Sequence, residues 1–258
     1  MLKLSLIQLR RTQDKEENLR RVFHLVKGLD ADVILLPENW VGPEVVSFDR
    51  FLSLAQSVLA VLPGGALFAA GAQYVEKNGR VASRGVFMRH GSDEFICYEK
   101  LLPSQAIGER DHIQPGKFLP LVEHAGWKIG AVACVDLFYP EIVRRLALDG
   151  CQLLLNPASI PAVRMPLWQA LGLTRAAENT IFVAMANNTG SAYPDGREIA
   201  GGSFTALPDG RLGVIAGREE QVVTVNLEQE LISRTRDRWP YLEDVRRMLA
   251  SEQTSLWR

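Results

Sequence analysis

Three side chains in this chain have the types and placement to run a nucleophilic substitution together. Cys134 ends the small, apolar stretch "IGAVAC", and only five residues separate it from Pro140, a residue suited to a first helical turn. Glu38 follows the apolar run "VILLP", where carboxylates are otherwise scarce, and Lys100 ends "FICYEK". A thiol needs help to react. Unperturbed cysteine titrates near ~8.5 and glutamate near ~4.3, so handing the thiol proton to a glutamate is uphill by roughly 6 kcal/mol. A helix N-terminus and a nearby cation would favour thiolate, and burial would raise the glutamate toward it.

The surrounding elements account for the placement. "LKLSLIQLR" alternates as a strand, and "DKEENLRRVFHLVKGL" carries its apolar residues at helical spacing. "ADVILLPE" is a continuous apolar run, as in a strand buried on both faces. After a second amphipathic helix ending at Pro63-Gly64, the segments to residue 100 read as strands joined by hairpin turns, with Asn78-Gly79 the clearest turn. "LLPSQAIGERDHIQPGKF" is a long loop of the kind that usually serves function. A hairpin around Ala125-Gly126 follows, then a helix 140–149 and a strand "CQLLLNPAS" that complete a strand–helix–strand unit, a helix from Met165 and a strand "IFVAMANNTG". "GGSFTALPDGRLGVIAG" and "EEQVVTVNL" are expected to finish the sheet. Hairpins within alternating helices and strands predict mixed sheets covered by helices, an α/β layered sandwich. Groups at the carboxyl ends of such strands converge on one crevice, which would bring Glu38, Lys100 and Cys134 together.

Composition narrows the function classes. The 258 residues carry 29 Lys+Arg against 30 Asp+Glu, a net charge of -1, which offers no general attraction for nucleic acid or an anionic membrane. The longest apolar stretch is broken by Pro63, Gly64 and Gly65, so no membrane-spanning segment is expected. Three widely spaced cysteines argue against a disulfide framework and for a reducing cytoplasm. The four histidines have no metal-like spacing. Cys97 and Cys151 lie within strands and read as packing residues.

The order "PE", "YEK" and then Cys134 in "CVDLFYPE" resembles the nitrilase, or carbon–nitrogen hydrolase, superfamily. "NPAS", "TRAAENTIFVAMANN", "GGSFTALPDGRLG" and the terminal "WPYLEDVRR" fall in the family's order, so the resemblance runs from about residue 3 to 248. It implies a four-layer α-β-β-α sandwich in a single domain over 1–258, with about 228–258 forming a tail at an oligomer contact. It implies cleavage of a non-peptide C–N bond with no metal or organic cofactor. By resemblance Cys134 is the nucleophile, Glu38 the general base and Lys100 the cation that steadies the tetrahedral oxyanion. Glu109 matches a supporting second glutamate, and the Val135 N–H is a second oxyanion donor. The chain departs from many members at Phe138, where they carry arginine, and at Val135, where they carry tyrosine.

The reading is a thiol amidase acting on a small molecule, with nitrilase or carbamoylase activity as alternatives on the same site and a catalytically silent scaffold as the alternative of another class. Trp40, Phe138, Tyr139, Arg164 and Trp168 are expected around the pocket, with Arg164 the candidate for holding a substrate carboxylate. Asp136 is read as holding its turn, Arg175 as bracing its helix through Glu178, and Ser203 as structural. Trp239, Tyr241 and Trp257 suit a homodimer or higher homo-oligomer contact.

Overall fold

The computed structural model describes residues 1–92 and 94–250. Trp257 lies outside the described residues. The first half builds strands β1 (Leu2–Gln8), β2 (Val33–Leu35), β3 (Val46–Ser47), β4 (Leu67–Lys77), β5 (Arg80–Arg89) and β6 (Phe95–Glu99). The second builds β7 (Leu121–His124), β8 (Trp127–Ala131), β9 (Leu153–Ala158), β10 (Phe182–Asn187), β11 (Ser191–Ala192), β12 (Glu198–Ile199), β13 (Phe204–Ala206), β14 (Leu212–Ile215) and β15 (Gln221–Leu227). Helices α1 (Lys15–Val26) and α2 (Phe48–Leu59) belong to the first half. Helices α3 (Pro140–Leu148), α4 (Met165–Asn179), α5 (Gln229–Arg238) and α6 (Tyr241–Ala250) belong to the second.

Two mixed sheets result, with orders β15-β1-β2-β4-β5-β6 and β14-β13-β10-β9-β8-β7. Each has three parallel central strands flanked by antiparallel ones. Strand β15 forms an edge of the first sheet, while β13 and β14 finish the second. It crosses back and pairs along the whole of β1, from Leu2↔Leu227 to Gln8↔Gln221. That pairing leaves β1 interior to its sheet, which suits its apolar sequence.

Period-two alternation sets the layers. Leu4, Leu6 and Leu35 meet Ile129, Leu153 and Leu155 between the sheets. Ile7, Ile34 and Leu36 point the other way, onto Val22, Val26 and Phe51 of the first helices. Val132, Leu154 and Val183 meet Val143, Leu146, Trp168 and Leu242 of α3, α4 and α6. Each such buried apolar side chain contributes roughly 1.5–3 kcal/mol. The four-layer α-β-β-α sandwich follows. The terminal segment is not wholly outside the core, because Ile232 of α5 and Leu242 of α6 are each 2% exposed and join it. Both expected hairpin turns form, with positive φ at Asn78-Gly79 and at Ala125-Gly126.

The carboxyl ends of the central strands meet across the two sheets. Leu9, just past β1, accepts from the Thr189 N–H at 2.8 Å, and the Glu38 N–H, past β2, donates to Ala158 O at 3.3 Å. This shared edge builds the site.

Candidate active site

Glu38 is fixed from both sheets. Its N–H is held by Ala158 of "NPAS", and its carbonyl accepts from Asn188 Nδ2 of "MANN" at 2.7 Å. Asn39 then takes φ 53°, a left-handed conformation that asparagine tolerates, and its N–H donates to Ala72 O at 2.7 Å. The preceding Pro37 presses on β4, where a Cβ at Gly71 would lie 1.8 Å from Pro37 O. Only glycine permits that approach.

Lys100 is held just as tightly. Its N–H donates to Ser83 O at 2.9 Å and its carbonyl accepts from the Gly116 N–H at 2.8 Å. The next two N–H groups, of Leu101 and Leu102, donate to the two oxygens of Asp136 at 2.7 and 2.9 Å. Asp136 therefore ties the Lys100 loop to the Cys134 turn, a more specific role than holding its own turn. The Lys100 ammonium, fully buried, donates to Glu38 Oε1 at 2.9 Å and to Glu109 Oε1 at 2.7 Å. Glu109 reaches it from the long 101–118 loop, which folds into two short 3-10 turns, Gln105–Ile107 and Glu109–Asp111. Glu109 also accepts from Tyr74 Oη at 2.6 Å and from the Ser104 N–H at 2.5 Å. Its partner is Lys100, not the sequence-adjacent Arg110.

Cys134 is 5% exposed and adopts φ 48°. A non-glycine residue held there costs of order 1–3 kcal/mol and persists only where its surroundings enforce it. The enforcement is visible. Asn156 Nδ2 donates to Val132 O at 2.8 Å and to Cys134 O at 3.2 Å. The Arg175 guanidinium donates to Leu137 O at 3.1 Å and Phe138 O at 2.9 Å, besides its pair with Glu178 at 3.0 Å. Arg175 thus clamps the Cys134 turn, where sequence spacing indicated only a helix brace. The turn itself is a 3-10 segment, Cys134–Phe138, and α3 starts afterwards at Pro140. The α-helix N-terminus expected beside the thiol is displaced by this segment. Val135, in its first turn, has no N–H partner within the segment.

Burial sets the proton balance. It raises Glu38, and Glu109 adds to the effect, while Lys100 and the neighbouring Cys134 thiol oppose it; the net direction is up. Burial and Glu38 push the Cys134 thiol well above its ordinary range, against Lys100 and the Ser159 N–H. Burial alone would discharge Lys100, but Glu38, Cys134 and Glu109 together hold it charged. The resting cluster therefore holds a neutral thiol beside a raised carboxyl and a fixed ammonium. Burial raises Cys151 to about 12, and burial raises the half-buried Cys97 against Arg84 and Lys77, with Glu99 adding to the rise.

Two clefts open onto this cluster. One, of about 310 Å³, is lined by Cys134, Val135, Phe138, Tyr139, Arg164 and Trp168 among others. The other, of about 550 Å³, is lined by Glu38, Tyr74 and Arg11. Ala106, Ile107, Ser159, Tyr193 and Arg197 line both. Four of the five residues expected around the pocket line the smaller cleft. Phe138 packs on Trp168 with centroids 6.2 Å apart, and the exposed Arg164 lies 5.5 Å over the Trp168 ring. Trp40 is the exception. It is fully buried against Phe51, on the helix side of the first sheet. Arg11, Tyr74 and Tyr193 escaped the sequence reading. Arg11 alone carried a signal, since it follows β1 as Glu38 follows β2. Ser203 is structural, as expected: its Oγ donates to Gln8 Oε1 and accepts from the Asn187 N–H, both at 2.9 Å.

Comparison with known proteins gives the family of the chain. The family model described as "Carbon-nitrogen hydrolase" matches residues 3–237. The chain is 30% identical over 242 residues to a 2-oxoglutaramate amidase of Bacillus subtilis, covering 90% of this chain and 93% of that protein. It is 28% identical to an (R)-stereoselective amidase of a Pseudomonas species, covering 98% and 94%. Among solved structures it is similar to a CN-hydrolase superfamily protein of Xanthomonas campestris, with a TM-score of 0.82 at 24% identity over 94% of this chain and 96% of that one. The chain belongs to the carbon–nitrogen hydrolase family.

Proposed function

We propose that this protein is an amidase that hydrolyses a small-molecule amide through a thioester on Cys134. The observation that carries the reading is the contact set of the Lys100 ammonium, 2.9 Å from Glu38 and 2.7 Å from Glu109, in the crevice that Cys134 faces from a strained turn. The amidases of Bacillus subtilis and Pseudomonas that the chain matches along most of its length support the choice of an amide.

The steps follow from the proton balance. Glu38, ionised but raised, takes the Cys134 proton as sulfur bonds to the amide carbon. The oxygen that becomes negative is stabilised by Lys100 and by the Val135 N–H, each such donor typically worth about 2.7–4 kcal/mol. The C–N bond breaks as Glu38 returns the proton to nitrogen, and ammonia leaves. Water then attacks the thioester, Glu38 takes its proton, and sulfur regains a proton as the acid departs. Glu109 keeps Lys100 aimed, and Tyr74 fixes Glu109.

Ammonia release from a panel of aliphatic amides, each paired with its nitrile, tests the reading. Amides alone should release ammonia at a useful rate. Preferential turnover of nitriles, or no ammonia from either set, contradicts it, and carbon dioxide formed with ammonia from an N-carbamoyl amine added to the panel would assign a carbamoylase instead. We also infer that the single domain self-associates through its terminal segment, where Tyr241 is 49% and Leu249 50% exposed on α6. Sedimentation of the full chain against one ending before α6 would separate a dimer from a monomer.

A further inference from the structure

Arg11 is a buried cation that the reaction above does not use. It lies three residues past the end of β1, is 7% exposed, and lines the larger cleft together with Glu38. Among the described residues no hydrogen bond or ion pair reaches its guanidinium. Other buried or part-buried arginines differ. Arg175, 6% exposed, is paired with Glu178 and two carbonyls, and Arg80 and Arg84 share Glu99. In the same cleft Arg197 is closed by Asp195 at 2.7 Å. Burial lowers the proton affinity of Arg11, against the charges of Tyr193, Glu38, Tyr74 and Cys134, so the fold places the group there at a cost. A guanidinium offers five fixed donors that match a carboxylate in two parallel hydrogen bonds.

We propose that Arg11 is a specificity-determining residue that binds the carboxylate of an amide substrate, so that the preferred substrates are linear amides carrying a terminal carboxylate. The proposal rests on the amidase reading. The amide carbon meets Cys134, the chain of the substrate runs along the wall of Ser159 and Tyr193 common to both clefts, and the carboxylate reaches Arg11 past Glu38. Hydrolysis of such an amide with water yields ammonia and a dicarboxylate. The apolar cleft around Phe138 and Trp168 then has no anion to bind, although Arg164 stands at its edge.

The test compares ammonia release from succinamate, glutaramate and adipamate with that from their uncharged methyl esters. The wild type should favour at least one free acid over its ester by roughly 10- to 100-fold in kcat/KM. Arg11→Gln should abolish most of that preference, chiefly through KM, and Arg11→Lys should restore part of it. Arg11→Gln should melt at or above the wild-type temperature, since it removes an unpaired buried charge. No preference in the wild type overturns the proposal while leaving the amidase reading intact. So does a preference unchanged in Arg11→Gln or lost instead in Arg164→Gln. A lower melting temperature for Arg11→Gln would mark a structural role and also overturn it. No ammonia from any amide would remove the amidase reading itself.

Discussion

Two buried glutamates stand on either side of one backbone position and behave oppositely. Glu99 ends β6 and is fully buried, yet its carboxylate takes Arg80 at 2.8 and 3.2 Å, Arg84 at 2.5 and 3.0 Å, and the Lys117 N–H at 2.9 Å. Burial alone would raise it, but these donors outweigh burial and hold it below the ordinary carboxylate range. Glu38, beside the neighbouring Lys100, has one ammonium, and shares it with Glu109. Burial wins there, and Glu38 rises. A saturated carboxylate holds the fold together. An under-compensated one is left able to accept and return a proton.

Substitution should separate the two. Glu38→Gln should lower kcat by about 10³-fold or more while leaving the melting temperature near that of the wild type. Glu99→Gln should do the reverse, destabilising by about 2–3 kcal/mol in denaturant melts; partners 23% and 13% exposed keep it at the low end for a broken buried pair. Equal losses of rate and stability in both variants would erase the distinction.

The pH dependence carries the same contrast. The proposed base role of Glu38 requires an ionised carboxylate and its pKa is raised, so the acid limb of kcat/KM should break above the ordinary 4.5. Glu99, depressed, contributes stability that is present above its unfolded pKa and lost as pH falls through its folded one. Asp136 runs the other way. Burial raises it to about 7 from 3.8, so the folded state holds its proton longer and stability from this group falls as pH rises across that interval. Between pH 4 and 7 the wild type should lose stability relative to Asp136→Asn as pH rises; equal slopes, or a relative gain, would contradict this.

The smallest expected effect is at Arg175. Arg175→Leu frees two buried carbonyls, at Leu137 and Phe138, and should cost about 1–3 kcal/mol with a loss of kcat that tracks loosening of the Cys134 turn. A stability loss with kcat intact would return Arg175 to the role of a helix brace.

What the sequence made legible was local. Apolar runs ending in Glu38, Lys100 and Cys134 announced strand ends, and strand ends in such sheets share a crevice. The hairpins at Asn78-Gly79 and Ala125-Gly126 were equally local. What escaped depended on pairing between distant segments. Trp40 stands two residues from Glu38, but the left-handed Asn39 between them redirects the chain and sends the indole into the core. Arg11 follows β1 as Glu38 follows β2, but its place in the cleft exists only once the end of β1 lies beside Glu38 and Tyr193. Arg175 looks like half of an i,i+3 pair, and its clamp on the Cys134 turn exists only once α4 packs there.

The central claim is that sulfur of Cys134 carries the acyl group. Acid quenching of the protein during turnover of an amide, followed by peptide mass mapping, tests it most directly. The account predicts an acyl mass on the Cys134 peptide that is absent from Cys97 and Cys151, with turnover in Cys134→Ala reduced by at least about 10⁴-fold. Turnover persisting in Cys134→Ala, with no acyl mass on the wild-type peptide, would contradict it.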